Sequence, residues 1–202
     1  MFPIIKTIDD LLPYIKGNSN FPINRKEDYL VIDYILSSPE DFHNPWEKEC
    51  RGIIFDFETG KILSRPYHKF FNLNEREESS NPDLSKPHVL LEKLDGSMIR
   101  AFKTKDRWIW GSRAGETFLT PQVERFVKNY PQYQQLVELF DDNTFLFEWC
   151  SRQNRIVLDY PKDRLVMTGI RHTETGEYQT YDGLVQIGKD FGIDYVKPLR
   201  RN

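Results

Sequence analysis

The stretch HVLLEKLDGSMIRAF (residues 88–102), followed by DRWIWGSR (106–113), sets the grammar of this chain. Apolar, β-branched runs break at Leu94-Asp95-Gly96 and again before Asp106, which reads as strand, turn, strand, turn, strand in antiparallel order. The pattern returns on both sides. YLVIDYIL (29–36) predicts a strand, and GIIFDF (52–57) with KILSRPY (61–67), joined through Glu58-Thr59-Gly60, predicts a hairpin. TFLFEW (144–149) and DRLVMTGI (163–170) predict two more strands, the second leading to a turn at Glu174-Thr175-Gly176-Glu177. Helical spacing is confined to Ile8–Ile15, interrupted by Pro13; to residues 121–140, with Thr120 as N-cap, Pro121 at the first helical position and Pro131 dividing two helices; and to Asp182–Phe191. Residues Asn72–Pro87 are polar and punctuated by Pro82 and Pro87, a surface loop. Strands dominate without βαβ alternation, so the expected class is α+β with mainly antiparallel sheets.

Composition narrows the function classes. With 28 Lys+Arg against 31 Asp+Glu, the formal charge of −3 excludes a uniformly basic nucleic-acid coat but leaves room for a local basic groove. Hydrophobic residues at 39% and aromatics at 14% supply enough apolar surface for a packed core. No apolar run approaches the ~20 residues that cross a bilayer, and the N-terminus lacks a basic n-region and a long h-region, so a cytoplasmic protein with no membrane partner is expected. Cys50 and Cys150 form no CxxC and have no matched His pair; buried free thiols are expected rather than a disulfide or a zinc site. His43, His68, His88 and His172 are scattered, and none takes a catalytic or metal role. No glycine-rich loop of Rossmann or Walker spacing is present, which disfavours those nucleotide folds.

Chemistry concentrates at Glu92-Lys93-Leu94-Asp95-Gly96-Ser97. A lysine ends an apolar strand, and Asp-Gly then turns the chain, which places the amine at a strand's mouth with room for a close ligand. Ammonium is not a nucleophile; it becomes one when apolar walls or neighbouring cations favour the free amine. Ordinary hairpin chemistry with a solvated lysine explains the hexapeptide alone about equally well.

Lys-x-Asp-Gly is the pattern of covalent nucleotidyltransferases, and the flanking blocks resemble one branch of them. Glu49-Cys50-Arg51-Gly52-Ile53-Ile54-Phe55 and Arg65-Pro66-Tyr67-His68-Lys69-Phe70-Phe71-Asn72-Leu73-Asn74-Glu75 stand upstream; Phe147-Glu148-Trp149-Cys150-Ser151-Arg152-Gln153-Asn154-Arg155-Ile156-Val157 stands downstream. In order and spacing these are similar to segments of the T-even phage RNA ligase 1 family, over Tyr29–Tyr181. The resemblance implies that Lys93 accepts AMP from ATP, with Mg2+ assisting, and that Arg51 and Lys69 hold the triphosphate. It implies nucleotide-contacting roles for Glu92, Asp95, Gly96 and Arg113, and a place for Glu148 near the ribose. AMP would then pass to an RNA 5′-phosphate before joining to an RNA 3′-hydroxyl, with broken tRNA as one candidate substrate. Phe70 and Phe71, as adjacent strand residues, should face opposite sides, so neither is assigned to the site.

The resemblance also implies elements beyond those recognised. Members of the family continue to a glutamate-glycine metal motif and a strand with two lysines. Tyr181-Asp182-Gly183-Leu184-Val185 comes too soon after Glu148 to be that motif. The expected organisation is therefore one nucleotidyltransferase domain with an N-terminal extension (1–28), a best-matched core (29–181) and the start of a C-terminal portion (182–202). Alone, such a chain is expected to adenylylate weakly or not at all; a second polypeptide supplying the remaining motifs, or a nucleotide- or RNA-binding remnant, are the alternatives. An uncovered edge on the nucleotide sheet is a further expectation.

Overall fold

The structure, a computed structural model, describes residues 1–36 and 41–201, the side chains of Arg200 and Arg201 excepted. Along the chain the elements run α1 (Ile8–Ile15), β1 (Ile23–Arg25), β2 (Tyr29–Asp33), α2 (Pro45–Glu49), β3 (Arg51–Asp56), β4 (Ile62–Ser64), β5 (Val89–Leu91), β6 (Ser97–Lys103), β7 (Trp108–Gly111), α3 (Thr120–Asn129), α4 (Gln132–Leu139), β8 (Asn143–Cys150), β9 (Arg164–His172), α5 (Tyr181–Phe191) and β10 (Pro198–Arg201). The α+β class with antiparallel sheets is what the strand grammar predicted. One sheet has the order β1-β2-β3-β4, a second β7-β6-β8-β9, and β5 pairs with β10 in a ribbon of two.

Three apolar clusters explain why the strands read as they do. Ile53 and Phe55 of β3 pack toward α1 and α2, while Ile54 joins Tyr29 and Val31 against Phe102 and Ile109 of the second sheet. With both faces covered, β3 loses the apolar-polar alternation of a half-exposed strand. In β8, Phe145, Phe147 and Trp149 face the helices α3 to α5. Period-2 geometry then turns Thr144, Leu146 and Glu148 to the opposite face, which looks toward the first sheet. Arg100 of β6 shares that face, because its neighbours Ile99 and Ala101 belong to the helix-side cluster.

The local departures have identifiable causes. Strand β2 ends at Asp33 rather than Leu36; its register with β3 shifts between Ile32 and Asp33, and the Asp33 carboxylate pairs with an arginine described below. Thr120 is the first residue of α3 and Leu119 its N-cap, one position earlier than expected; the Thr120 hydroxyl accepts from the Thr117 amide at 3.1 Å instead. Pro131 does separate α3 from α4. Within 72–87, Glu77–Ser79 forms a 3-10 turn. Helix α2 was not anticipated: Asn44 caps it by accepting from the Glu47 amide at 2.9 Å, with Pro45 at its first turn. Cys50 and Cys150 are buried free thiols.

The meander at 88–113 is only half right. Strands β6 and β7 form the expected hairpin, but β5 does not pair with β6; it pairs with β10, and β6 pairs with β8. Five residues, Glu92 to Gly96, carry the chain from one sheet to another, and Lys93 lies in that crossing. Residues 182–196 pack on the main core through Leu184, Ile193 and Val196. On the outer edge of β9, the Met167 amide donates to Asp194 O at 2.8 Å and the Val196 amide donates to Met167 O at 2.9 Å, so that edge is covered there.

A buried ionic lock ties the layers. Glu49, Arg65 and Arg171 are 0–2% exposed. The Glu49 carboxylate accepts from Arg65 Nε at 3.0 Å and from Arg171 Nη1 and Nη2 at 2.8 Å each. Both guanidiniums also donate to main-chain carbonyls, of Pro3, Pro66, Glu174 and Gly176. Burial pushes the Glu49 carboxyl up, but the hydrogen bonds and charges of Arg65 and Arg171 outweigh it and hold it below its ordinary value.

Candidate active site

Lys93 is exposed, two residues past the end of β5. Its strand is held by reciprocal bonds with the C-terminal segment: the Glu92 amide donates to Lys197 O at 3.0 Å, and the Lys197 amide donates to Glu92 Oε1 at 2.9 Å. The Glu92 carboxylate therefore serves the backbone here rather than an open ligand site.

The turn after Lys93 is equally constrained. Asp95 Oδ2 accepts from the amides of Val157 at 2.7 Å and Leu158 at 2.6 Å, and the Asp95 amide donates to the Tyr160 hydroxyl at 2.9 Å. Those two backbone bonds, Leu158 first, hold its carboxyl below the usual range. Gly96 approaches β8 so closely that a Cβ would stand 2.3 Å from Trp149 O. Its amide donates to Glu148 Oε1 at 3.0 Å. The Ser97 hydroxyl accepts from Asn154 Nδ2 at 2.9 Å.

Glu148 is opposite Met98 in the β6–β8 register, on the sheet face away from the helices. Burial raises its carboxyl to about 6; the Gly96 amide and the charges of Lys93 and Arg51 pull the other way, and Asp95 adds to the rise. Lys93, Asp95, Glu148 and Arg51 are thus within electrostatic reach of one another's carboxylates and cations.

Arg51 opens β3 and lies 5.1 Å above the Phe70 ring. Its Nη1 is buried with no hydrogen-bond partner. A buried guanidinium donor is costly to leave unpaired, and an anion such as a phosphate oxygen is the partner its fork geometry suits. On the far side, Arg113 Nε pairs with Asp33 Oδ2 at 2.9 Å, and its Nη1 donates to the Tyr34 hydroxyl at 3.3 Å. Lys69 Nζ stands 4.9 Å from the Phe71 ring centroid and 5.3 Å from that of Tyr34. Tyr34 is therefore shared by Arg113 and Lys69.

Contacts gather the residues singled out in sequence into two groups, Lys93, Asp95, Gly96 and Glu148 around the turn and Lys69 and Arg113 around Tyr34, with Arg51 within electrostatic reach of both Glu148 and Asp33. Glu92 is adjacent in sequence but turned to the backbone. Sequence reasoning missed Tyr34 and Asp33, which close the run YLVIDY with a polar pair, and it set aside the two phenylalanines. Phe70 and Phe71 do diverge, although from irregular backbone rather than a strand: Phe70 is 56% exposed beneath Arg51, and Phe71 packs under Lys69. Arg100 was also missed. It is fully buried, its Nη groups donate to the carbonyls of Ser112 and Gly52, and its Nε donates to Ser64 Oγ at 2.9 Å. It thereby holds the main chain beside both Arg113 and Arg51.

Known proteins share this arrangement of segments. A family model described as RNA ligase matches residues 49–200, which contain the lysine, the turn and all three flanking blocks. The chain belongs to the RNA ligase family. One relative in it, "Putative RNA ligase" of Thermovibrio ammonificans, is 32% identical over 200 residues, covering 90% of this chain and 50% of the relative. RNA ligase 1 of bacteriophage TS2126 is 34% identical over 103 residues, 48% of this chain and 26% of the phage protein. The chain spans half or less of the length of these curated relatives. Among solved structures, an archaeal ATP-dependent RNA ligase superposes with a TM-score of 0.64 at 13% identity, over 96% of this chain and 50% of that one, which shows the shared fold.

Among the described residues no group of three or more His, Cys, Asp or Glu side chains is placed to hold a metal. Nor is any helix among them long and apolar enough to cross a membrane.

Proposed function

We propose that this chain carries the nucleotidyl-transfer centre of an ATP-dependent RNA ligase. Lys93 Nζ, as the free amine, attacks the α-phosphorus of ATP; an N–P bond forms, the bond to the bridging oxygen breaks, pyrophosphate leaves and the amine proton passes to solvent. The oxygen of an RNA 5′-phosphate then displaces Lys93 from the AMP, and an RNA 3′-hydroxyl finally displaces AMP to form the phosphodiester. The observation that carries this reading is that Lys93 and Arg51, whose buried Nη1 lacks a partner, both act electrostatically on the half-buried carboxylate of Glu148.

Each side chain has a task in that scheme. Arg51 supplies a fork for phosphate oxygens, and Lys69 and Arg113 add positive charge for the outgoing pyrophosphate. Glu148, fixed by the Gly96 amide, keeps one carboxylate oxygen for a ribose hydroxyl. Phe70 offers an exposed ring for the base. Magnesium fits here as a companion of the phosphates, since it commonly binds through substrate phosphates and few protein carboxylates; when bound it would neutralise charge on them.

Intact mass after incubation with ATP and magnesium tests the proposal, with Lys93→Ala beside the parent. A slow, partial gain of one AMP, confined to the parent, is expected, in keeping with the weak adenylylation anticipated for this chain alone. Labelling that survives in Lys93→Ala would place the nucleophile elsewhere, and a folded parent that never gains AMP would leave the chain a binding module.

A further inference from the structure

Between β8 and β9 the chain makes an irregular excursion. Its first part, Ser151-Arg152-Gln153-Asn154-Arg155-Ile156-Val157-Leu158, contains two arginines and no acid. Three consecutive apolar side chains stand in solvent: Ile156 is 58% exposed, Val157 69% and Leu158 52%. Apolar side chains gain by leaving water, so a contiguous exposed group of three is a surface with an unused driving force.

This segment is nevertheless held in place. Asp95 accepts from the amides of Val157 and Leu158, Tyr160 accepts from the Asp95 amide, and Asn154 donates to Ser97. Every one of these bonds ends on the turn that follows Lys93. The exposed apolar group is thus fixed beside the proposed nucleophile, with its side chains outward and its amides inward. Arg152 pairs with Asp159 at 3.7 Å with both side chains more than half exposed, and Arg155 Nε reaches only Val157 O at 3.4 Å. Contacts of that kind are worth little and exchange readily for a phosphate.

We propose that residues 152–158 are the docking platform for the RNA strand whose 5′-phosphate receives AMP. Arg152 and Arg155 pair with phosphates of that strand, and Ile156, Val157 and Leu158 support its unstacked bases. The proposal rests on the reading of Lys93 given above, because only then must a second polyanion come to that turn. Two observations favour RNA over a protein partner: two arginines held only by weak exposed contacts beside three exposed apolar side chains, and continuity with Lys93 through Asp95. Single-stranded RNA is recognised through apolar contact with splayed bases combined with phosphate pairing, which is the combination presented here.

The test is fluorescence anisotropy of a labelled, 5′-phosphorylated single-stranded RNA titrated with the chain, with the Arg152→Ala/Arg155→Ala and Ile156→Ser/Val157→Ser variants beside it. Intact mass after ATP and magnesium is measured on all three. The arginine variant should bind about tenfold more weakly near 0.1 M salt, and its log–log salt slope should flatten by about 1.4, two single-strand phosphate contacts. The apolar variant should bind several-fold more weakly with an unchanged slope, and Lys93 labelling should be the same in all three. Unchanged RNA affinity in both variants would overturn the platform, as would a parent that binds no RNA. Loss of Lys93 labelling together with RNA affinity would also overturn it, since the segment would then be acting on the nucleophile's turn. Loop-dependent RNA binding with no labelling in any chain would sink the Lys93 reading and leave the platform standing.

Discussion

Glu148 Oε1 accepts from the Gly96 amide at 3.0 Å. This contact joins a central strand of the second sheet to the turn that follows Lys93, so one backbone bond fixes the Glu148 carboxylate relative to that turn. Its consequences can be measured.

Burial raises the Glu148 carboxyl to about 6. The folded protein therefore holds this proton more tightly than the unfolded chain does, and stability falls as pH rises through about 6. Ionised Glu148 costs up to about 2 kcal/mol at neutral pH relative to a carboxyl of ordinary pKa. Glu148→Gln keeps an acceptor for Gly96 and removes the charge. We expect it to exceed the parent in stability by about 1–2 kcal/mol at pH 7, with the gap closing toward pH 4.5, while nucleotide affinity drops. Urea unfolding at several pH values checks this; a gap independent of pH would contradict the burial argument.

Gly96→Ala places a methyl 2.3 Å from Trp149 O, a main-chain atom in the β6–β8 ladder that cannot swing aside. Destabilisation of about 1–3 kcal/mol is expected from the forced shift. The larger effect should be on nucleotide labelling of Lys93, because the turn itself moves. Retained labelling at parental rate, measured by intact mass over time, would show that the turn tolerates displacement.

Glu49→Ala leaves Arg65 and Arg171 buried without their counter-charge. Removing one partner of a buried pair typically costs about 3–5 kcal/mol. Because Arg65 and Arg171 depress the Glu49 carboxyl, its contribution is present above the ordinary value of 4.5 and is lost as pH falls through the lower folded value. The parent should therefore show an acid-unfolding limb that is flatter in Glu49→Ala. Thermal melts across acid pH would detect it, and parallel curves would mean that other carboxylates govern the acid transition.

Arg100→Met frees the carbonyls of Gly52 and Ser112 inside the protein. Burial lowers this guanidinium to about 10, so it remains charged at neutral pH and its loss removes charge-assisted bonds. A cost of at least about 2 kcal/mol is expected. Hydrogen exchange should rise at residues 51–53 and 111–113 ahead of global unfolding, since those segments lose a shared clamp. Exchange raised uniformly over both sheets would point to a purely global role.

Several features were legible in sequence because they depend on neighbours along the chain. The hairpin at 52–64 follows from Gly60 between β-branched runs, and Gly60 adopts φ +70°, a conformation glycine favours. The division of α3 from α4 at Pro131 follows from proline's missing amide. Part of the candidate site was legible through residue types in a particular order: Lys93, Asp95, Gly96 and Arg51 all act on Glu148.

Other features were not legible, because they are pairings between segments far apart in sequence. Strand β5 looks like the first half of a hairpin with β6, yet it finds β10 more than a hundred residues later. Asp95 resembles a turn residue and instead anchors the amides of Val157 and Leu158; Glu92 resembles a ligand-binding carboxylate and instead accepts from Lys197. Nothing along the chain distinguishes Arg65, Arg100 and Arg171 from solvated cations, since burying a guanidinium is costly unless several carbonyls and a carboxylate are already in place. By itself the sequence determined the α+β class and the turns, because periodicity and local backbone preference act within a few residues, and it singled out Lys93 as the candidate nucleophile through the order of its flanking segments. Only the tertiary structure decided which polar groups serve the backbone and which remain open for a ligand, because a donor's partner is chosen by proximity in space, and that proximity exists only after the sheets have packed.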